Sequence, residues 1–331
     1  MRGLTNMDGS SFITCHRCYT TYSWLLGRRC FYSLDAKKLS FYFRSYSPFP
    51  RKNRSLDMSR NFHTNKGVRI LFLGTPLCAA KSLQRWLELS QQNPYARIVS
   101  VITQSPSEKP SRKRNLSPVH EVAIQNQIPV WTPENIRDTD FLSKVQQWEP
   151  DIAITAAYGK LLSPNFLNIP KYGVVNIHPS LLPKFRGAAP VQRALQQGIE
   201  ETGVSILFTV TKMDAGPIIA QEKVSLNGDE LAGPLLIDLF LKGTDLLAQH
   251  FNSILNGTVQ TLQQNEEEAT YAPKLKKEEG WLSFHENAWH VHNKVRAFGD
   301  SIGTFANFDI QQKGTQKLKI YKTRLKKMVF V

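Results

Sequence analysis

An asparagine and a histidine two positions apart, Asn176 and His178, lie at the end of an apolar run that predicts a buried strand. Alternate side chains of a strand share a face, so this amide and imidazole are expected on the same side. A carboxylate in a later loop, Asp214, could hold the imidazole. Such a trio can stabilise a tetrahedral oxyanion and move one proton, which suits acyl or formyl transfer. A single histidine at a strand end is more often a hydrogen-bonded polar residue than a catalyst, so its surroundings must decide.

The segments before His178 alternate between strand and helix patterns. The predicted strands are Val68–Leu73, Ala96–Ile102, Ile152–Ala157 and Gly173–Ile177, and the predicted helices are Cys78–Leu89, Val119–Gln125 and Asp140–Trp148. This alternation predicts an α/β fold with a doubly wound, mostly parallel sheet that binds ligands at the carboxyl ends of its strands. The loops after Gly74, Tyr158 and His178 all belong to that edge.

The pattern changes to period two after Thr202, which predicts antiparallel strands over Val204–Val210 and Pro217–Val224. Asp214 lies in the loop between them, where a carboxylate can point across a cleft. A long helix is predicted from about Leu231 to Leu255.

Four parts are predicted along the chain. They are a basic N-terminal segment (1–68), an α/β domain (69–256), a polar linker (257–275) and a small basic domain (276–331). The last part predicts a helix over Trp289–Phe298 and strands over Gly303–Ile310 and Lys317–Lys322.

The charge of this chain is concentrated at its start. The 331 residues carry a net charge of +15, and residues 1–68 contribute +9 of it, from 12 basic and 3 acidic residues. An Arg- and Ser-rich, acid-poor start is typical of a mitochondrial import segment, so the matrix is the expected location. A disordered tail or a wrongly assigned gene start is the alternative. No apolar run approaches the roughly 18 to 20 residues of a membrane span, so no membrane partner is expected.

Several chemistries find little support. Cys15 and Cys18 form an isolated C-x-x-C pair, which is weak evidence for a metal or redox site, so no metal is expected. The turn after the first strand, Gly74-Thr-Pro76, lacks the glycine spacing of a dinucleotide site, and Pro76 removes an amide donor. A nicotinamide-dependent enzyme is therefore disfavoured.

A long polar loop between Gln104 and Pro118 carries four positive charges, at Lys109, Arg112, Lys113 and Arg114. Basic groups interleaved with Ser and Asn suit phosphate contacts on a nucleic acid. A solvated run of charges is an equally good explanation of the loop alone.

The run from Asn176 to Gln192, NIHPSLLPKFRGAAPVQ, resembles the active-site signature of the methionyl-tRNA formyltransferases nearly residue for residue. Shorter matches support it at Gly74–Pro76, Ala157–Gly159, Thr202–Val204 and Asp214–Ile218. The resemblance implies a formyltransferase fold, 10-formyltetrahydrofolate as the donor and the α-amine of methionyl initiator tRNA as the acceptor. With the N-terminal segment it points to translation initiation in mitochondria.

The resemblance also implies roles for individual residues. Asn176 and a protonated His178 would donate hydrogen bonds to the formyl oxygen, and Asp214 would favour the charged imidazole and help relay a proton. Folate would be bound by Ser180, Leu181, Leu182, Pro183, Tyr158 and Gly159, with no metal required. Contacts to tRNA would come from Lys109, Arg112, Lys113, Arg114, Lys276 and Lys277.

The residues alone suggest structural roles for parts of the same run. Ser180 is expected to turn the chain rather than react, because no base is placed beside it. Arg186 could contact substrate or pair with a nearby carboxylate, and the sequence does not decide between these.

The C-terminal part departs from the family's pattern. The family's OB-like barrel continues for several more strands, whereas this chain stops after its first predicted hairpin, so a truncated barrel with an incomplete core is expected. Two alternatives stay open beside a monomeric tRNA formyltransferase. One is another folate-dependent formyltransferase or formyl hydrolase, with glycinamide ribotide or an amino sugar as acceptor. The other is a truncated, non-catalytic RNA-binding form.

Overall fold

A seven-stranded sheet forms the centre of the molecule. The structure is a computed structural model that describes residues 67–91, 96–105 and 116–325. The strands of the sheet are β1 (Val68–Gly74), β2 (Ala96–Ile102), β3 (Val130–Trp131), β4 (Ile152–Ala156), β5 (Val174–His178), β6 (Glu201–Phe208) and β7 (Ile218–Ser225). They lie in the order β3-β2-β1-β4-β5-β6-β7, with β1 to β5 parallel and β6 and β7 antiparallel. The predicted doubly wound, mostly parallel sheet is confirmed.

Helices cover both faces of this sheet. They are α1 (Leu77–Ser90), α2 (Pro118–Gln125), α3 (Thr139–Gln147), α4 (Pro164–Leu167), α5 (Pro190–Gln197), α6 (Ala232–Leu255) and α7 (Ala288–Phe298). Helices α1, α2 and α6 pack with Ile70 and Phe72 of β1 on one face, while α3 and α4 pack with Leu71 and Leu73 on the other. Because both faces are buried, β1 is a continuous apolar run rather than an alternating one.

The predicted elements agree with the observed ones within a few residues at each end, apart from four differences. The short helix α4, helix α5 and the two-residue strand β3 were not predicted, and the last strand begins at Gly314 rather than Lys317. Gly314 pairs with Ile310 directly after the hairpin turn and has a φ of 65°, which glycine adopts without strain. The turn is therefore shorter than the sequence pattern suggests.

The long helix α6 lies unusually close to the strand that carries Asn176 and His178. A Cβ atom at Gly243 would come within 2.5 Å of Ile177 Cγ2 and 2.7 Å of Val204 Cγ2. Glycine at this position therefore permits the helix to support β5 and β6 directly from behind, which holds the end of β5 in place.

The C-terminal part packs onto the α/β domain through α7. A two-stranded antiparallel sheet, β8 (Thr304–Ile310) and β9 (Gly314–Ile320), covers one side of α7. The opposite side of α7 places Ala297 and Phe298 in a hydrophobic cluster with Leu195 of α5 and Leu239 of α6. In the described residues, the predicted partial barrel is thus one hairpin supported by a helix that shares a core with the first domain.

Some sequence-based expectations lie outside the described residues. These are the N-terminal segment with its cysteines, the basic loop with Lys109, Arg112, Lys113 and Arg114, and the last six residues. Among the described residues, no helix combines the length and apolar character that crossing a membrane requires. The domain boundaries at residues 256 and 276 stay predictions.

Candidate active site

Asn176 lies near the carboxyl end of β5, where its neighbour on β4 fixes its amide. Thr155 is aligned with Asn176 in the parallel pairing of the two strands. The Thr155 hydroxyl donates a hydrogen bond of 2.8 Å to Asn176 Oδ1. Since the oxygen of the amide is turned toward Thr155, its NH2 group is directed to the other side as a donor.

His178 is the last residue of β5, and only 5% of its side chain is exposed. Its Nε2 atom lies 3.0 Å from the carbonyl oxygen of Phe185. A carbonyl can only accept, so Nε2 carries a hydrogen, and Nδ1 is the nitrogen that can gain or release a proton. Nδ1 faces Asp214 Oδ2 at 3.7 Å, which is beyond direct hydrogen-bond reach but close enough for an ion pair with a charged imidazole.

Asp214 enters the site from the loop between β6 and β7. Its φ of 52° is in the left-handed region, which aspartate tolerates better than most residues. Its Oδ2 atom accepts a hydrogen bond of 2.8 Å from the backbone amide of Gly187. The structure therefore brings His178 and Asp214 together as the sequence predicted, with Asn176 on the same face of the strand as His178. Their catalytic roles stay predictions.

The loop after His178 is held by a hydrogen bond of its own and by hydrogen bonds to strands β6 and β7. Ser180 is fully buried, and its hydroxyl donates a hydrogen bond of 2.7 Å to the carbonyl of Lys184. Ser180 therefore turns the chain, as expected. Leu182 is also buried, with its amide bonded to Ser205 Oγ at 3.0 Å and its carbonyl to Gln221 Nε2 at 2.9 Å.

Of the four predicted folate-binding residues in this loop, Leu181 and Pro183 are partly exposed. The peptide bond between Leu182 and Pro183 is cis. Ser180 and Leu182 thus shape the loop, whereas Leu181 and Pro183 are the two whose side chains can contact a bound ligand. Folate binding by all four stays a prediction.

Tyr158 and Gly159 follow β4 at the same edge of the sheet. The Tyr158 carbonyl accepts hydrogen bonds from Thr75 Oγ1 and from Gln104 Nε2, which ties the loops after β1, β2 and β4 together. Burial raises the pKa of the Tyr158 phenol to about 12, so the phenol is neutral at physiological pH. Gly159 is exposed and has a φ of 81°. Both residues lie where the sequence placed them.

Arg186 is completely buried and pairs with local groups. Its guanidinium donates to both carboxylate oxygens of Glu266, at 3.0 and 3.1 Å, and to Gln264 Oε1. The hydrogen bond from Arg186, with a further one from Lys212, lowers the pKa of Glu266 to about 2. Between the two interpretations left open, the structure therefore favours local pairing over substrate contact.

The two predicted lysines of the C-terminal part are exposed. Lys276 and Lys277 lie at a short 3₁₀ turn over Lys277–Gly280. Lys277 lines a small groove together with Glu278, Trp281, Phe305 and Lys317. The Lys317 ammonium lies 4.5 Å from the ring centre of Trp281 and 4.3 Å from that of Phe305. A lysine stacked on an exposed Trp281 ring and a half-buried Phe305 ring is a surface suited to phosphates and bases.

Sequence reasoning missed two residues that hold the site. Thr155 could have been found by aligning the predicted strands, since it lies opposite Asn176. Gln264 gave no signal, because it lies in a polar run predicted as a linker. In the described part of the chain, no group of three or more His, Cys, Asp or Glu side chains is arranged to hold a metal ion.

Two family models match the chain. The first, described as formyl transferase, matches residues 68–235, and the second, the formyl transferase C-terminal domain, matches residues 274–329. The chain is 37% identical over 257 residues to a methionyl-tRNA formyltransferase of Acetivibrio thermocellus, covering 77% of this chain and 79% of that protein. It is 36% identical to the Bacillus subtilis protein of the same name, and the match covers 69% of this chain and 71% of that protein.

Solved structures share the fold at low identity. An N-formyltransferase from Helicobacter canadensis, solved with folinic acid and dTDP-3-aminofucose, matches with a TM-score of 0.56 at 17% identity, covering 79% of this chain and 100% of that one. A 4-N formyltransferase from Francisella tularensis matches with a TM-score of 0.59 at 16% identity, and the match covers 79% of this chain and 99% of that one. These likenesses support the fold alone.

Proposed function

The chain belongs to the methionyl-tRNA formyltransferase family, and we propose that it transfers the formyl group of 10-formyltetrahydrofolate to the amine of methionyl initiator tRNA in mitochondria. One observation carries the assignment to this site. Of the two ring nitrogens of His178, Nε2 is bonded to the backbone, and Nδ1 faces the Asp214 carboxylate at the end of the strand that presents Asn176.

These positions account for the chemistry of the transfer. As the acceptor amine bonds to the formyl carbon, negative charge develops on the formyl oxygen. The Asn176 NH2 group, turned away from Thr155, can donate a hydrogen bond to that oxygen. The amine must lose one proton, and the folate nitrogen that leaves must gain one. His178 Nδ1 can carry that proton, because Asp214 stabilises the charged imidazole beside it.

One surface and one stretch of sequence support tRNA as the acceptor. The groove lined by Lys277, Glu278, Trp281, Phe305 and Lys317 places two lysines and one glutamate beside two aromatic rings. The sequence that follows β2 adds four basic residues, Lys109, Arg112, Lys113 and Arg114, which are predicted to contact phosphates. A small amine acceptor would need neither feature.

Acceptor choice tests the proposal directly. The full chain is incubated with 10-formyltetrahydrofolate and, separately, methionyl initiator tRNA, glycinamide ribotide or a nucleotide-linked amino sugar. Formylated methionyl-tRNA is the expected product. Transfer to a small amine alone would overturn the tRNA assignment, and RNA binding without any turnover would overturn the enzymatic one.

The mitochondrial location rests on residues 1–68, with 12 basic and 3 acidic residues. A fluorescent reporter fused to this segment is expected to enter the mitochondrial matrix. A matched fusion in which the eight arginines of the segment are replaced by glutamine should stay outside. A cytosolic wild-type fusion would contradict the proposed location.

A further inference from the structure

The segment between α6 and α7 lies directly along the loops of the site. Leu262 and Ile218 form an antiparallel bridge, with two backbone hydrogen bonds of 2.8 Å. Further along, the amide of Arg186 donates to the carbonyl of Thr270 at 2.8 Å, and the amide of Ala272 donates to the carbonyl of Arg186 at 2.7 Å. A segment that the sequence presents as a polar linker is thus bonded to both the Arg186 loop and the start of β7.

The Gln264 side chain joins the loop that contains Arg186 to the loop that contains Asp214. Its Oε1 atom accepts from Arg186 Nε at 3.0 Å and from Arg186 Nη2 at 2.7 Å. Its Nε2 atom donates to the carbonyl of Asp214 at 2.8 Å and to that of Gly216 at 2.7 Å. Both ends of this amide are therefore occupied, each by two hydrogen bonds.

Arg186 determines which way the Gln264 amide points. A guanidinium has donors and no acceptor, so only the oxygen of the amide can face it. Arg186 is fully buried, and leaving one of its donors without a partner would be costly. The NH2 group of Gln264 must then face the loop of Asp214, where two backbone carbonyls accept its hydrogens.

Asp214 is held in a backbone conformation that needs this support. Its φ is 52°, and its carboxylate is oriented by the amide of Gly187. Gly216, two residues later, lies against Phe208 so closely that a Cβ atom there would overlap the Phe208 carbonyl oxygen. Gln264 hydrogen-bonds the backbone carbonyls of both Asp214 and Gly216, which fixes the Asp214 carboxylate relative to His178 Nδ1.

We propose that Gln264 is a positioning residue of the formyl-transfer site, oriented by Arg186 and acting on catalysis by holding the Asp214 loop. This rests on the proposed function, in which Asp214 stabilises the charged His178. The segment at 262–272 then helps to position the catalytic groups, and it also connects the site to α7 and the C-terminal hairpin.

Gln264→Glu changes one end of the side-chain amide and keeps the other. The carboxylate still accepts from Arg186, but it presents an oxygen instead of an NH2 group to the carbonyls of Asp214 and Gly216. We expect kcat for formyl transfer to fall about 100-fold, as for a small misplacement of a reacting group, with KM for the folate donor within about twofold of wild type. Gln263→Glu makes the same charge change at an exposed neighbouring position and should leave kcat unchanged.

A double-mutant cycle with Asp214→Asn tests whether Gln264 acts through Asp214. In the Asp214→Asn background, Gln264→Glu should lower kcat by less than about threefold, because the group it positions is already disabled. A full 100-fold further loss would overturn the proposal, and so would a wild-type kcat in the single variant. If Gln264→Glu does not fold, Gln264→Ala serves in the same cycle.

Hydrogen exchange supplies a readout that does not depend on activity. Backbone amides of residues 212–216 should exchange at least several-fold faster in Gln264→Glu than in wild type or Gln263→Glu. Unchanged exchange would overturn the positioning role. If the wild-type protein transfers no formyl group but Gln264→Glu still exchanges faster than wild type, the proposed function is overturned. The role of Gln264 in holding the Asp214 loop then still stands.

Discussion

At the scale of single residues, the amide of Asn176 is the donor on which the proposed chemistry most depends. Asn176→Ala removes the hydrogen bond to the developing oxyanion, and losses of this kind typically cost about 10²–10³ in kcat. Single-turnover formylation of methionyl-tRNA should show this loss, with folate binding retained. Asn165→Ala, at an exposed position on α4, is the control and should match wild type. An Asn176→Ala enzyme with normal turnover would remove Asn176 from the mechanism.

Thr155 is predicted to act on Asn176 rather than on the substrate. Thr155→Val keeps the shape of the side chain and removes the hydrogen bond of 2.8 Å to Asn176 Oδ1. One hydrogen bond of this kind contributes about 1 kcal/mol, so kcat should fall about fivefold with KM unchanged. Thr155→Ser retains the hydroxyl and should restore kcat. If the serine and valine variants lose activity equally, packing and not the hydrogen bond explains the effect.

These two residues differ in how well a sequence reveals them. Asn176 ends an apolar run and precedes a distinctive motif, so both its element and its chemistry were predictable. Thr155 lies inside another apolar run, and its partner becomes evident only when the two strands are placed in register. Gln264 is harder still, because its contacts with Arg186 span 78 positions of the chain and no periodicity marks them.

At the scale of elements, helix α7 depends on a neutral histidine. Burial, the largest cause, lowers the pKa of His292. The Nε2 atom of His292 lies 3.1 Å from the Gly228 carbonyl, and Nδ1 lies 2.9 Å from the Thr323 hydroxyl. Protonation of Nδ1 would remove the acceptor that this hydroxyl uses, so the neutral form suits the folded state.

The stability of the protein should therefore decline in mild acid. Because the pKa of His292 is lower in the folded than in the unfolded state, its contribution is complete above about pH 6.5 and is lost as the pH falls toward the lowered pKa. His292→Gln should reduce the difference in melting temperature between pH 7.5 and pH 5.5, whatever its effect at pH 7.5. His290→Gln, exposed on the same helix, is the control. Equal pH dependence in all three proteins would contradict the role of His292.

The elements were predictable to different degrees for physical reasons. Strands β1, β2, β4 and β5 are buried on both faces, so each is an apolar run that stands out from its neighbours. Strand β3 has only two residues and offers no pattern. Helix α5 was readable from the spacing of Val191, Ala194 and Leu195, which are buried along with Pro190, although the first of them lies inside a run that resembles a functional motif.

At the scale of the whole molecule, the C-terminal hairpin and the site belong to one packed unit. Helix α7 shares a hydrophobic cluster with α5 and α6, and the segment 262–272 is bonded to the loops of the site. The separate C-terminal domain that the sequence suggests stays a prediction, and the cluster that α7 shares with α5 and α6 is a contact that composition does not reveal. The proposed tRNA surface at the hairpin is therefore connected to the site through packed helices and hydrogen-bonded segments.

The positive charge of the whole molecule leads to the last prediction, which concerns the hairpin groove. Replacing both Lys277 and Lys317 with alanine removes two candidate phosphate contacts, so affinity for methionyl-tRNA should weaken and the slope of log K against log salt should fall by about one per lysine. Filter binding from low to moderate salt measures both quantities. Lys171→Ala is the control, since Lys171 precedes β5 at the opposite edge of the sheet. If the double variant keeps the wild-type slope while Lys171→Ala has a smaller slope, the tRNA binds a different face of the protein. The rings of Trp281 and Phe305 then do not contact the tRNA.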